Sequence, residues 1–158
     1  MKGVVVILHS IGVHSGLCAH LADRLSKEGY TAVSFDYRGH GQSEGERAFI
    51  EDKNLYLGDI DRFLEMVVKL YSSAPLFIFG WGAGTLFGLN VAKKFKNKYK
   101  IAGLLACQPM VKKPEIGAMA KVFSSIGMAL MPNKMGVFKP DPAMMLKNKE
   151  ATNFISKD

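Results

Sequence analysis

Three glycines at alternate positions, Gly80, Gly82 and Gly84, join an apolar run to a helix-like run, and this junction constrains the fold more than any other feature of the chain. The run before it, Pro75-Leu76-Phe77-Ile78-Phe79, is short and apolar, as a strand buried on both faces is. The run after it, from Leu86 towards Phe95, has helical character. A strand that passes into a helix through a tight glycine turn fits a sheet of parallel strands, where each strand is followed by a covering helix. Gly82, at the tip of the turn, has no side chain with which to attack anything.

The rest of the first 110 residues repeats this alternation. Val4–Leu8 reads as a strand. From Ser15 to Glu28, Leu17, Leu21 and Leu25 recur at helical spacing with Ala22 beside them, and Gly29 is placed to end that helix. Thr31–Phe35 reads as a second strand, followed by a polar loop with Gly39, Gly41 and Gly45. Ile60, Phe63, Leu64, Val67, Val68 and Tyr71 mark one face of a second helix starting near Asn54. Leu76–Phe79 and Ile101–Ala106 complete four strands, the last ended by Pro109. The pattern predicts an α/β fold, a parallel sheet with helices on both faces.

After Pro109 the character changes. Ile116, Met119, Phe123, Ile126 and Leu130 outline an amphipathic helix, and seven of the nine methionines lie between Met110 and Met145. Such a segment is either an ordinary core helix or a lid, methionine being suited to surfaces that rearrange around apolar ligands. Gly117, Gly127, Gly136 and four prolines break it up and favour the lid. The expected division is therefore a core over 1–110 and a cap over 111–158.

At 158 residues, 48% apolar and 22% charged, the chain has the size and balance of one folded domain. No apolar run approaches the roughly 18 residues of a membrane-spanning helix. The segment Met1–His9 has one Lys, a brief β-branched run and no small-residue cleavage site after it, so it reads as a strand rather than a signal peptide. Cys18 and Cys107 have neither disulfide-framework nor zinc spacing, and two buried thiols in a reducing, cytosolic setting fit them best. The net charge of +7 is concentrated: no acidic residue lies between Glu65 and Glu115, a stretch holding Lys69, Lys93, Lys94, Lys96, Lys98, Lys100, Lys112 and Lys113. Solvated helix ends explain such a face most simply, and peripheral contact with an anionic membrane is the next reading. No DNA-reading motif accompanies the lysines, which argues against nucleic acid.

Several segments carry a resemblance. Val6-Ile7-Leu8-His9-Ser10-Ile11-Gly12 resembles a strand ending in H-G-x-G, and His14-Ser15-Gly16 follows it. Asp36-Tyr37-Arg38-Gly39-His40-Gly41-Gln42-Ser43-Glu44-Gly45-Glu46-Arg47 follows a G-H-G-x-S-x-G loop closely, and Gly80–Gly84 falls where a G-x-S-x-G nucleophile elbow belongs. Together these look like the monoacylglycerol lipase group of α/β-hydrolases, classed with the S33-type serine hydrolases. The likeness covers nearly all of this chain and about the middle half of a full family member.

The resemblance implies a partial α/β-hydrolase fold with a C-terminal cap and, by family, hydrolysis of a monoacylglycerol or similar lipid ester without metal or cofactor. It implies an elbow of Gly80, Trp81, Gly82 and Gly84 and an oxyanion hole from the backbone N–H groups of Ile11 and Ala83. His9, Gly12 and His40 are implied as structural supports near the site. The nucleophile position, however, is Gly82. A serine in this fold also needs a later acid and then a His, whereas His9, His14, His20 and His40 all precede the elbow. Two further departures bear on the hole: Ser10 stands where the family has Gly, and Thr85 replaces a Gly that lets helix and strand approach.

A dinucleotide-binding turn is a rival for the same glycines. It would require Gly at position 85, which is Thr, and an acidic residue near Gly103, where there is none. The expectation is thus a monoacylglycerol lipase-like chain that is itself inactive. The alternatives are a non-catalytic protein that binds an acyl lipid or an intact relative, and a truncated gene product. The strand near Ile101 is expected to form an exposed edge prone to self-association.

Overall fold

The computed structural model describes residues 1–47, 49 and 52–109. The chain divides into a unit Met1–Glu115 and a second, Ile116–Asp158. The expected cap, with its amphipathic helix, its methionines and Lys112 and Lys113, lies outside the described residues.

Among the described residues, four parallel strands form one sheet in the order β2-β1-β3-β4. They are β1 (Gly3–Leu8), β2 (Tyr30–Ser34), β3 (Leu76–Trp81) and β4 (Ile101–Cys107). Between them run a single 3₁₀ turn (Ser15–Cys18) leading into α1 (Ala19–Lys27), then α2 (Lys53–Leu70) and α3 (Ala83–Lys94). The period of two in β1 explains the two cores. Val4, Val6 and Leu8 face Ile60, Leu64, Val67 and Val91 of α2 and α3. Val5 and Ile7 face the other way, towards Cys18, Leu21, Ala22 and Leu25. Every residue of β1 is buried, as expected of a central strand covered by helices on both sides.

Element limits differ from the sequence expectation where local hydrogen bonds decide them. The first helix begins as a 3₁₀ turn because the His14 Nδ1 accepts from the Gly16 N–H at 3.1 Å, and regular α geometry starts only at Ala19. Asp52 caps α2 by accepting from the Asn54 N–H at 2.8 Å, which moves its start to Lys53. The third helix starts at Ala83 rather than Leu86, straight out of the elbow. Gly29 follows α1 at φ 84, the left-handed angle that glycine allows there. Cys18 is buried, but Cys107, expected inside, is half-buried because β4 is a sheet edge. Leu105 on that edge is 51% exposed.

No helix among the described residues is long and apolar enough to cross a membrane. Lys98, counted with the basic face, is bound by Asp61 Oδ1 at 2.8 Å and Glu65 Oε1 at 2.6 Å across α2. The stretch that lacks acids in sequence is therefore partly neutralised in space.

Tyr37 lies at the centre of an aromatic cluster. Its ring meets those of Phe35, Tyr56 and Phe87 edge-on, each at 5.4 Å between centroids, and leans on His9 at 4.0 Å. The side chain is fully buried, burial pushes its hydroxyl pKa far up, and among the described residues that hydroxyl has no hydrogen-bond partner. An unpaired buried hydroxyl costs free energy that a phenyl ring of the same shape does not. Tyr37→Phe is therefore expected to stabilise the fold by about 1 kcal/mol. Urea unfolding would read this, and a loss of stability would show that the hydroxyl is satisfied in solution.

Candidate functional site

The chain leaves β1 for β2 on one side and later returns to β3 on the other side of β1. Ligands of open α/β sheets bind at such a reversal, outside the carboxyl ends of the two central strands. Leu8 pairs with Gly80 in the parallel ladder, so the loop His9–Gly12 and the turn Gly80–Gly84 emerge side by side. The sequence-predicted residues are thus brought together here, with His40 arriving from the loop after β2. A cavity of about 460 Å³ lies at the opposite end of the strands, between Val4, Leu76 and Ile101 and the end of α2, and none of these motif residues lines it.

The glycines of the turn serve separate purposes. A side chain on Gly80 would overlap the Thr85 backbone, and one on Gly84 would overlap the Leu8 carbonyl. Gly80 therefore supplies the close approach between strand and helix that position 85 does not. Thr85 is fully buried, and its hydroxyl donates to the Gly80 carbonyl at 2.7 Å. The expected disturbance from Thr85 is absorbed by that bond. Gly82 has φ 55 and ψ −117, a conformation strained for any other residue. Its own N–H donates to the Cys107 carbonyl at 2.9 Å, tying the turn to β4. The Trp81 indole N–H donates to Gln108 Oε1 at 3.1 Å.

The partners of the two buried histidines fix their tautomers. His9 Nδ1 lies 2.8 Å from the Ser10 carbonyl, which can only accept, while its Nε2 accepts from the Tyr37 N–H at 3.2 Å. His40 repeats the arrangement, with Nδ1 at 3.1 Å from the Arg38 carbonyl and Nε2 accepting from the Gly12 N–H at 3.1 Å. Both rings therefore carry their proton on Nδ1, and both nitrogens of each ring are engaged. Burial lowers the His9 pKa, with His40 adding to the effect, so His9 is held neutral. Neither ring has a nitrogen free to take a proton from a nucleophile.

Asp36 straps the two loops together. Oδ1 accepts from the Ser15 N–H at 2.8 Å and Oδ2 from the Gln42 N–H at 2.9 Å, and the Ser43 hydroxyl donates to the Asp36 carbonyl at 2.6 Å. Partial burial works against its charge, but the hydrogen bonds from Ser15 and Gln42 outweigh it and hold the carboxyl below the usual range. Arg38 pairs with Asp59 of α2 through two bonds of 2.6 and 2.7 Å. The sequence motif gives Asp36 and Arg38 no role, and the partners Ser15 and Asp59, each 21 residues away, cannot be read there.

Of the two expected oxyanion donors, Ile11 N–H lies on the turn after β1. Ala83 N–H donates to the Ser10 hydroxyl at 3.2 Å. That acceptor was not foreseen, although Ser10 had been marked as a departure. No group of three or more His, Cys, Asp or Glu among the described residues could hold a metal ion.

The serine aminopeptidase S33 family profile matches residues 1–158. The human monoglyceride lipase is 26% identical over 99% of this chain and 52% of its own length. A solved monoacylglycerol lipase from Paleococcus ferrophilus superposes with a TM-score of 0.80 at 26% identity, covering 99% of this chain and 58% of that one. A soluble variant of the Saccharomyces cerevisiae monoglyceride lipase, solved with a substrate analogue, gives a TM-score of 0.83 at 24% identity and 53% of its chain, which speaks for the fold. The chain spans about half the length of the mammalian monoglyceride lipases it matches.

Proposed function

Because this chain belongs to the serine aminopeptidase S33 family and is a monoglyceride lipase-like α/β-hydrolase, we propose that it keeps the family frame without its ester-cleaving chemistry. Gly82 carries this reading. In the G-x-S-x-G arrangement the serine at the tip attacks the acyl carbonyl, and a glycine offers no atom to replace it. A neighbouring general base is of no use without that hydroxyl. Loss of the nucleophile leaves only the residual catalysis, about 10³–10⁴ over water, that binding and oxyanion donors provide.

The ligand we propose is a monoacylglycerol or a fatty acyl chain, on the support of relatives named as monoglyceride lipases. The test uses one preparation for both halves of the reading. Fluorophosphonate labelling and monoacylglycerol turnover are expected to match buffer, while a fluorescent fatty acid is expected to be retained. Stoichiometric labelling would refute the inactivity, and failure to retain the fatty acid would refute the ligand.

The finer expectations of place and partner belong with this reading. Lys93, Lys94, Lys96 and Lys100 are exposed near the end of α3 and the start of β4, which supports peripheral contact with an anionic membrane from a cytoplasmic setting. The exposed Leu105 on the β4 edge supports self-association. Light scattering with and without phosphatidylserine vesicles reads both. A monodisperse monomer that ignores the vesicles would remove both proposals.

A further inference from the structure

The departure at Ser10 and the departure at Gly82 meet in space. A Cβ built on Gly82 would lie 2.5 Å from the Ser10 Oγ and 3.0 Å from the Ser10 Cβ. Among the described residues these are the only atoms within 4 Å of that Cβ, apart from those of the residues next to it in the chain. The volume that an elbow side chain would enter is thus held by a side chain from the loop after β1, 72 positions earlier. The same Ser10 Oγ accepts from the Ala83 N–H at 3.2 Å. Gly82 and Ala83 are buried and Ser10 is half-buried, so the contact lies inside the site rather than on its rim.

From this geometry we infer that Ser10 is an internal plug: its hydroxyl fills the space at the elbow tip and occupies the Ala83 donor, and it collides with any side chain placed at position 82. Two physical points carry the inference. First, the overlap cannot be relieved by turning the hydroxyl alone. The Ser10 Cβ is fixed by its own backbone and already stands 3.0 Å from the added atom. Rotating Oγ away also forfeits its bond to the Ala83 amide, leaving a buried donor unpaired. Second, a hydroxyl already seated on the Ala83 N–H stands in the way of an acyl carbonyl oxygen that would use the same donor. The plug therefore closes the elbow in a second way, beyond the missing nucleophile. It does not rest on the proposed lack of turnover, because its consequences are read in stability and amide exchange.

A double-mutant cycle isolates the contact. Gly82→Ser alone mixes two costs, strain at φ 55 and collision with Ser10. The strain is common to both backgrounds and cancels in the cycle. Gly82→Ser is expected to lower Tm by about 6 °C with Ser10 present and by about 3 °C in the Ser10→Gly background. Equal drops in the two backgrounds would overturn the inference. If Gly82→Ser proves too unstable to measure, Gly82→Ala places the same Cβ against Ser10 without the extra oxygen, and the same cycle applies.

A second readout does not touch residue 82. Ser10→Ala keeps the Cβ and removes only the acceptor. Hydrogen exchange at the Ala83 amide is expected to speed up about tenfold in that variant, the kinetic equivalent of one lost hydrogen bond. Exchange at Thr85, whose N–H bonds the Gly82 carbonyl at 3.2 Å, should change little. An unchanged Ala83 rate, or fluorophosphonate labelling of Ser10 itself, would overturn the plug.

Discussion

Gly84→Ala is expected to cost about 3–5 kcal/mol and leave the chain largely unfolded at 37 °C, although it adds a single methyl group. The three nearest neighbours of that methyl are all backbone: the Leu8 carbonyl oxygen, the Leu8 carbonyl carbon at 2.6 Å and the His9 oxygen at 2.7 Å. Side chains can turn aside, but these atoms belong to the end of β1, the fully buried central strand. Relief would require α3 to move off the sheet and give up contacts with both β1 and β3. A typical domain has only about 5–15 kcal/mol to lose. Gly58 in α2 is the internal control, since among the described residues nothing beyond its own helix backbone lies within 4 Å of its missing Cβ. Gly58→Ala should stabilise by about 0.5–1 kcal/mol. Circular dichroism and urea midpoints of the two variants settle the matter, and similar behaviour would sink the packing argument.

The second large effect is acid sensitivity, to which two groups of opposite kind contribute. The His9 pKa is lowered in the folded chain, chiefly by burial, so the unfolded chain takes up the proton first. Stability is therefore complete above the unfolded value of about 6.5 and is lost as pH falls from there towards the folded value. Asp36 is also lowered, because the Ser15 and Gln42 hydrogen bonds outweigh its burial. Its contribution is complete above the unfolded carboxylate value of about 3.9 and disappears as pH falls through the folded one. The chain should thus weaken in two stages on acidification, beginning near neutrality. Asp36→Asn is expected to cost about 1.5–3 kcal/mol at pH 7, because an amide NH₂ must face one of two N–H donors. It should also shrink the lower stage, to which Asp61 and Asp52 contribute as well, while leaving the upper one in place. Urea midpoints followed from pH 8 to 3 would show this, and a single stage shared by both proteins would contradict it.

Much of the frame was legible because it depends on local pattern. The apolar runs, the helical spacing of Leu21 and Leu25, and Gly29 as a terminator are properties of neighbouring residues, and each has its counterpart in the structure, whereas Leu17 falls in the 3₁₀ turn before the helix. Gly82 was legible for a different reason, since an absent side chain needs no partner to be recognised. What escaped were pairings between distant segments. Nothing local to Asp36 announces Ser15, nothing near Lys98 announces Asp61 and Glu65, and Ser10 gives no sign of Ala83, which lies 73 residues on. The element limits that moved did so through caps and turns, at His14, Asp52 and Gly82, where one hydrogen bond or one unusual φ outweighs periodicity. The half-exposure of Cys107 followed from its strand being an edge, a property of the sheet order and not of the residue.

The 2.5 Å between the Ser10 hydroxyl and the place of a Gly82 side chain also gives mutational history a direction. Two single steps separate the present pair from glycine at 10 and serine at 82, and they are not interchangeable in order. Changing residue 10 first passes through a small void, whereas changing residue 82 first passes through an overlap in a strained turn. Selection on folding alone would favour the first route over the second. The plug would act as a ratchet: with Ser10 in place, a serine arising at position 82 carries a folding cost that it escapes when position 10 is glycine.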